Sequence, residues 1–424
     1  MVRKWMVPLK EMQKVSSIAA PMVAVSVLQY LLQVVSVMMV GHLDELSLSG
    51  ASTATSFSVS GFSFLFGMAS ALETLCGQAY GAEQFHKLGI YTYCSIIPLI
   101  LLCFPISLLW IFTDKLLILI GQDPVISRIA QKYAVCLIPN LFSYAVLQSL
   151  IRFLQAQSLI LPMFFSSVLT LCFHIPLCWV LVFGVKLGSI GAALSVSLSY
   201  WLNVFLVGFY NKFSSGCEKT RVAFSKDVIA SIPEFFRFAV PSAVMVCLEW
   251  WSYEVLILLS GLLPNPKLET SLLSICFTIT YLHYFIPYGF GATASIRVSN
   301  ELGAGNPQAA KMAVAAVMIL VAAEMVTIRV LSFASPLLWI AYKQYSQKMG
   351  AYVNLGAYYL VGIPVAAVLA FVLHLKGKGL LIGLATGSAI QATLLGLRTI
   401  FTNWQKQVSK ARHRIFEGDS QSGL

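Results

Sequence analysis

Apolar runs of about 20 residues recur along the whole of this 424-residue chain, each long enough to cross a hydrocarbon core of roughly 30 Å. Inside a bilayer only helices and closed barrels satisfy their own backbone hydrogen bonds. The runs lack the strict polar/apolar alternation of barrel strands, so an all-α polytopic membrane protein is expected. Composition agrees: 58% of residues are apolar and 11% charged, against about 25% charged in a typical soluble domain.

Spans are expected near 15–40, 48–76, 88–112, 133–154, 162–183, 188–210, 236–261, 270–294, 309–333, 350–373 and 379–401. The net charge of +11 comes from basic residues at span ends, which suits membrane orientation better than a nucleic-acid face. The N-terminal segment carries Arg3, Lys4, Lys10 and Lys14, and the 211–236 loop carries Lys212, Lys219, Arg221 and Lys226. Both are expected in the cytoplasm, and the six spans between them allow it. The tail, with Lys406, Lys410, Arg412 and Arg414, also asks for the cytoplasm. Five spans after the 211–236 loop would put it on the other side. The nine cysteines form no CxxC pair and lie mostly in apolar runs, as small packing residues do.

An internal repeat accounts for most of the chain. Pro21–Gln29 parallels Pro241–Glu249 at an offset of 220, and Gly81-Ala82 parallels Gly303-Ala304 at 222. Two similar halves are a common transporter plan, with the site in a cavity between them. Ile190-Gly191 then matches Ile382-Gly383 at an offset of only 192. The second half is therefore short by about 30 residues, roughly one span with its loop. The shortfall shows at 331–349, where the apolar part Leu331–Tyr342 is too short for a crossing. Two pseudo-symmetric lobes follow, six helices in the first and about five in the second: 1–210, a cytoplasmic linker 211–236, 237–402, and a basic tail 403–424.

Several motifs carry a family resemblance. Glu73-Thr74-Leu75-Cys76-Gly77-Gln78-Ala79-Tyr80-Gly81-Ala82 resembles the signature after the second helix of multidrug and toxic compound extrusion (MATE) transporters, in the plant detoxification branch. Val40-Gly41-His42-Leu43, Cys247-Leu248-Glu249-Trp250-Trp251 and Arg297-Val298-Ser299-Asn300-Glu301-Leu302-Gly303-Ala304-Gly305 are similar to the same branch. The resemblance covers nearly the whole chain apart from about 331–349. It implies twelve helices in two lobes and export of organic solutes or xenobiotics in exchange for protons. It also implies an acid in helix seven, matched by Glu249, and a second acid in helix ten, for which this chain has no counterpart.

Glu249 lies twelve residues beyond Arg237, about 18 Å along a helix and near mid-bilayer. A charged carboxylate there costs at least ~2.5 kcal/mol, so this side chain suits a proton-coupling role. The competing reading is a permanently protonated Glu hydrogen-bonded inside its lobe. Its repeat counterpart is the uncharged Gln29, which puts the chemistry in the second half. Glu254 sits about 140° round the helix from Glu249, facing either the cavity or a neighbour. Gln29 and Gln33, spaced i, i+4, with Trp250, Tyr253, Tyr281 and Tyr284 are candidate cavity residues. Aromatic faces suit flat or cationic solutes; ordinary helix packing is the alternative for each. Glu324 and Arg329 are given structural roles, and Glu73 and Arg297 interfacial capping with a gate as the alternative.

The isolated histidines suggest no metal cluster, and no cofactor is expected. A Walker A motif, GxSxG and HExxH are all lacking, which argues against a nucleotide-driven pump and the common hydrolases. The expected partners are a small organic solute, protons and the lipid bilayer, with no nucleic acid, for a monomer in the plasma or vacuolar membrane. A shortened non-transporting variant and a lipid-linked flippase of the wider superfamily are the alternatives. A flippase cavity would carry many basic residues, and these spans carry few.

Overall fold

The computed structural model describes residues 2–260, 262–264, 266–331 and 347–417. Among these residues the structure is helical, with no strand. The helices are α1 (Val2–Gly41), α2 (Glu45–Ala69), α3 (Ala71–Gly81), α4 (Phe85–Ile111), α5 (Thr113–Leu119), α6 (Pro124–Ala156), α7 (Ile160–Trp179) and α8 (Ser189–Phe213). They continue with α9 (Lys226–Ser260), α10 (Pro266–Gly303), α11 (Pro307–Leu331), α12 (Gln347–Asn354), α13 (Ile363–Ala367), α14 (Lys376–Ile400) and α15 (Trp404–Glu417). π-type turns extend α7 through Val180–Gly184 and join α12 to α13 (Leu355–Gly362) and beyond it (Val368–Val372).

Ten helical stretches among the described residues are long and apolar enough to cross a membrane. The 38-residue α10 stands where the eighth expected span was placed. Large apolar side chains lie open on these helices, among them Leu101, Phe104, Phe165, Phe205, Phe209 and Leu360, each at least 59% exposed. Such a surface needs lipid around it. The protein is an integral, multi-pass membrane protein. The shortened segment expected at 331–349 falls largely outside the described residues.

The chain forms two compact units. The amino-terminal unit comprises Ala24–Leu72 and Phe85–Phe236; the carboxy-terminal unit comprises Arg237–Leu424 together with Met1–Val23 and Glu73–Gln84. In the amino-terminal unit, His174 of α7 bridges Ser36 of α1 (Nε2 to Oγ, 3.1 Å) and Ser199 of α8 (Nδ1 to Oγ, 2.9 Å). Ser199 donates its hydroxyl proton to the Ser195 carbonyl, so Nδ1–H donates to Ser199 Oγ. The buried Arg152 donates to Gln155 Oε1 at 2.7 Å and stacks on Phe66. Most of the 211–236 linker is regular: α8 runs on to Phe213, a 3₁₀ turn spans Ser215–Thr220, and α9 starts at Lys226. Tyr91 of α4 donates to Glu234 at 3.0 Å, tying the start of α9 to this unit.

In the carboxy-terminal unit, α3 crosses the end of α10 where glycines let two backbones meet. Gly81 lies against the Asn300 carbonyl and Gly303 against the Gln78 carbonyl, and Gly77 packs on Ser299. Side chains of ordinary size would hold the helices 8–10 Å apart. Beside the crossing, Ser295 donates to Glu73 Oε2, and Arg297 pairs with Glu11 at 2.8 Å and Glu301 at 3.0 Å.

The tail read as 403–424 folds in large part. Trp404, Val408, Ala411 and Ile415 repeat at helical spacing, and Val408 and Ala411 of α15 are buried against Val298, Leu302, Ala310, Ala313 and Val314. Arg414 donates to Gln78 Oε1 at 2.9 Å and lies over the Phe238 ring. The tail thus sits at the α10–α11 turn.

This placement fixes the direction of the last helices. α14 runs into α15, so its C-terminal end is at the α10–α11 turn. At its other end the Gly377 amide donates to Glu269 in the first turn of α10. Asn354 meets Gln391, and Ala366 meets Gly383, so the α12–α13 segment runs antiparallel to α14. α11 and the α12–α13 segment are consecutive, yet point the same way.

Candidate functional site

Glu249 is on α9, eight residues beyond Pro241 near the middle of the helix and with apolar residues on both sides. Its side chain is 5% exposed. It lines a small pocket together with Trp250, Tyr253, Thr280, Tyr281 and Tyr284. The wall is aromatic because α9 and α10 each place rings one turn apart on the facing surfaces. Trp250 and Tyr281 lie with ring centres 5.5 Å apart and planes at 33°, and Tyr253 and Tyr281 at 6.2 Å and 36°. Tyr284 continues the wall towards Tyr288 at 5.8 Å.

A buried polar chain supports this cavity. Tyr358 donates to Gln391 Oε1 at 2.8 Å, Gln391 Nε2 donates to Asn354 Oδ1 at 2.7 Å, and Asn354 Nδ2 donates to the Met245 carbonyl at 2.9 Å. Met245 is one helical turn before Glu249. Every link uses the donor of one side chain and the acceptor of the next, so the chain has one direction and fixes the amide orientations. It couples α9, the α12–α13 segment and α14. Sequence reasoning did not single out Tyr358, Asn354 or Gln391, because neutral polar residues in apolar runs give no charge signal; the spacing of Asn354 and Tyr358, i and i+4, was the available one.

Of the expected cavity residues, Trp250, Tyr253, Tyr281 and Tyr284 come together with Glu249. Glu254 is half-buried on α9 and is not part of that lining. Gln29 and Gln33 are half-buried on α1 in the amino-terminal unit, where Gln33 Nε2 donates to Thr55 Oγ1 at 3.1 Å. Glu73 and Arg297 take part in the ties around the α3–α10 crossing. Glu324 meets His283, which is described further below. Among the described residues no three His, Cys, Asp or Glu side chains gather as a metal site would require.

The MatE family model matches residues 21–180 and 241–390. The chain belongs to the MatE family. The two matched stretches of this MatE chain begin 220 residues apart, the offset of its internal repeat. Protein DETOXIFICATION 14 of Arabidopsis thaliana is 51% identical over 444 aligned residues, covering 96% of this chain and 92% of the relative. Protein DETOXIFICATION 8 of the same organism is 50% identical over 443, covering 96% and 91%. Both aligned lengths exceed the 424 residues of the MatE chain, so these relatives have residues for which it has no counterpart. The crystal structure of the eukaryotic MATE transporter AtDTX14 superposes with a TM-score of 0.92 at 50% identity, covering 96% of this chain and 100% of that one. An outward-facing multidrug resistance MATE family transporter of the MOP superfamily shares the fold, at a TM-score of 0.79 and 14% identity over 95% and 97% of the two chains.

Proposed function

We propose that this protein is a secondary antiporter that exports small organic solutes or xenobiotics in exchange for protons, acting as a monomer in the plasma or vacuolar membrane with its N-terminus in the cytoplasm. The observation that carries the reading is Glu249, buried on an apolar helix long enough to cross a membrane and lining an aromatic pocket. An intramembrane acid is costly to keep charged and is a functional candidate for that reason. As a carboxylate, Glu249 attracts a cationic solute that the ring faces of Trp250, Tyr253, Tyr281 and Tyr284 also favour. Once protonated it gives up that charge attraction, and the solute leaves. Proton and solute then compete for one site, which is the requirement of exchange. Gln29, Gln33 and Glu254 are further solute contacts in this reading.

The relatives named for detoxification and the solved MATE transporter support the substrate class. A second reading, a shortened variant without transport, is favoured by aligned lengths that exceed the chain itself. Everted vesicles bathed in a fluorescent cation separate the two. Solute uptake into the lumen that follows an imposed pH gradient, and collapses with a protonophore, supports exchange. Flux driven by a sodium gradient alone refutes proton coupling, and no flux at all supports the second reading.

A further inference from the structure

α10 has a second polar feature on the side away from the cavity. Its Tyr281 and Tyr284 face Glu249, while His283 lies about 100° round the helix from Tyr284 and 160° from Tyr281. His283 Nε2 approaches Glu324 Oε1 of α11 to 3.3 Å, with the imidazole 17% and the carboxyl 11% exposed. The contact is close but not aligned as a hydrogen bond, and among the described residues neither Glu324 oxygen has a hydrogen-bond partner. Beside it α10 and α11 close over a purely apolar cluster of Val15, Ala294, Ala316, Val317 and Val321. A titratable acid and base are thus face to face on two helices that pack over apolar side chains.

We infer that His283 and Glu324 form a proton-binding site of their own in the carboxy-terminal unit. With one proton shared between them the pair is neutral overall, as an ion pair or as imidazole and carboxylic acid. A second proton from water makes it a cation, and loss of the first makes it an anion. Only the neutral state is inexpensive among apolar side chains, so a change in occupancy alters the α10–α11 contact. Because α10 carries the cavity tyrosines on its other side, that change reaches the wall of the Glu249 cavity.

The elements packed on the pair bring few other charges. α1, reached through Val15, carries the exposed Lys14 and also Glu11, which pairs with Arg297 of α10; Arg297 pairs in turn with Glu301. Arg297 is fourteen residues, about 21 Å, along α10 from His283. On α11, Lys311 is near the opposite end and Arg329 lies five residues beyond Glu324. α14 keeps Lys376, Lys378 and Arg398 at its two ends, and the basic residues of α15 sit at the α10–α11 turn. α9, on the other side of α10, carries Glu249 and Glu254, so among these groups the directly facing partner of each member of the pair is the other member.

The role in export rests on the function proposed above, but the site itself does not. The test is infrared difference spectroscopy of the purified full-length protein between about pH 5 and pH 9, following the stretch of protonated carboxyls. A band is expected that Glu324→Gln removes, that Glu249→Gln leaves in place, and whose midpoint moves by about one pH unit in His283→Gln. A spectrum unchanged by Glu324→Gln, or a midpoint unmoved by His283→Gln, overturns the inference. If Glu324→Gln fails to fold, the His283→Gln midpoint decides alone. The readout needs no transport, so a failure of the export reading is distinguishable from a failure of this site.

Discussion

Gly303 faces the backbone carbonyl of Gln78, and its repeat counterpart Gly81 faces that of Asn300, the counterpart of Gln78. The same offset of 222 relates both members of both contacts. The two copies of the motif thus recognise each other reciprocally, as the halves of a two-fold contact do. Gly303→Ala and Gly81→Ala each put a methyl group into backbone that cannot swing aside. Each is expected to cost about 1–3 kcal/mol, read as a lowered melting temperature in detergent. An unchanged melting temperature would mean that α3 and α10 are free to separate.

Glu249→Gln keeps shape and hydrogen bonding but cannot titrate. It is expected to abolish proton-driven export while leaving membrane insertion and thermal stability near those of the parent. Normal uphill efflux at equal membrane levels would remove Glu249 from the coupling role.

Gln391 holds both its neighbours in the buried chain that ends on Met245. Gln391→Leu strands the Asn354 carbonyl and leaves the Tyr358 hydroxyl only the longer contact to Ser388 Oγ at 3.3 Å, a loss of about 1–3 kcal/mol. Adding Asn354→Leu should cost less than the sum of the two single changes, because both break one network. Simple additivity in thermal unfolding would show that the links act independently.

Cys217 is buried, and burial pushes its thiol up, offset in part by Arg221, so the native cysteine is a poor reporter of sidedness. Glu218 next to it is exposed. Glu218→Cys should react with an impermeant maleimide only after the cytoplasmic face is opened. Labelling in intact cells would invert the proposed topology.

A chain lengthened between Leu331 and Gln347 by about 30 residues, enough for one more crossing, should export more than the present one at equal membrane levels. Equal efflux would show the additional helix to be dispensable.

Helix number and the paired halves could be read from sequence because apolar length and the 220-residue offset survive without any knowledge of packing. The clustering of Trp250, Tyr253, Tyr281 and Tyr284 about Glu249 was anticipated only as a set of candidates, since helix rotation decides which ring faces the acid. His283 read as isolated for the same reason: its partner is 41 residues away, and only the α10–α11 contact joins them. α15 was taken for a basic tail because its Lys and Arg residues outweigh four apolar positions. Those four, at intervals of four, three and four residues, already described a helix with one dry side.

The equal direction of α11 and the α12–α13 segment bears on how the protein is made. Helices delivered to a bilayer in order reverse direction at each passage. α9 to α11 make three passages and leave Leu331 at the end remote from α15, whereas α12 to α14 form a hairpin that starts and finishes at the α15 end. Alternating insertion alone therefore does not deliver α12 to α14, and the consequence of the equal direction falls on biogenesis rather than on the packing of the finished helices.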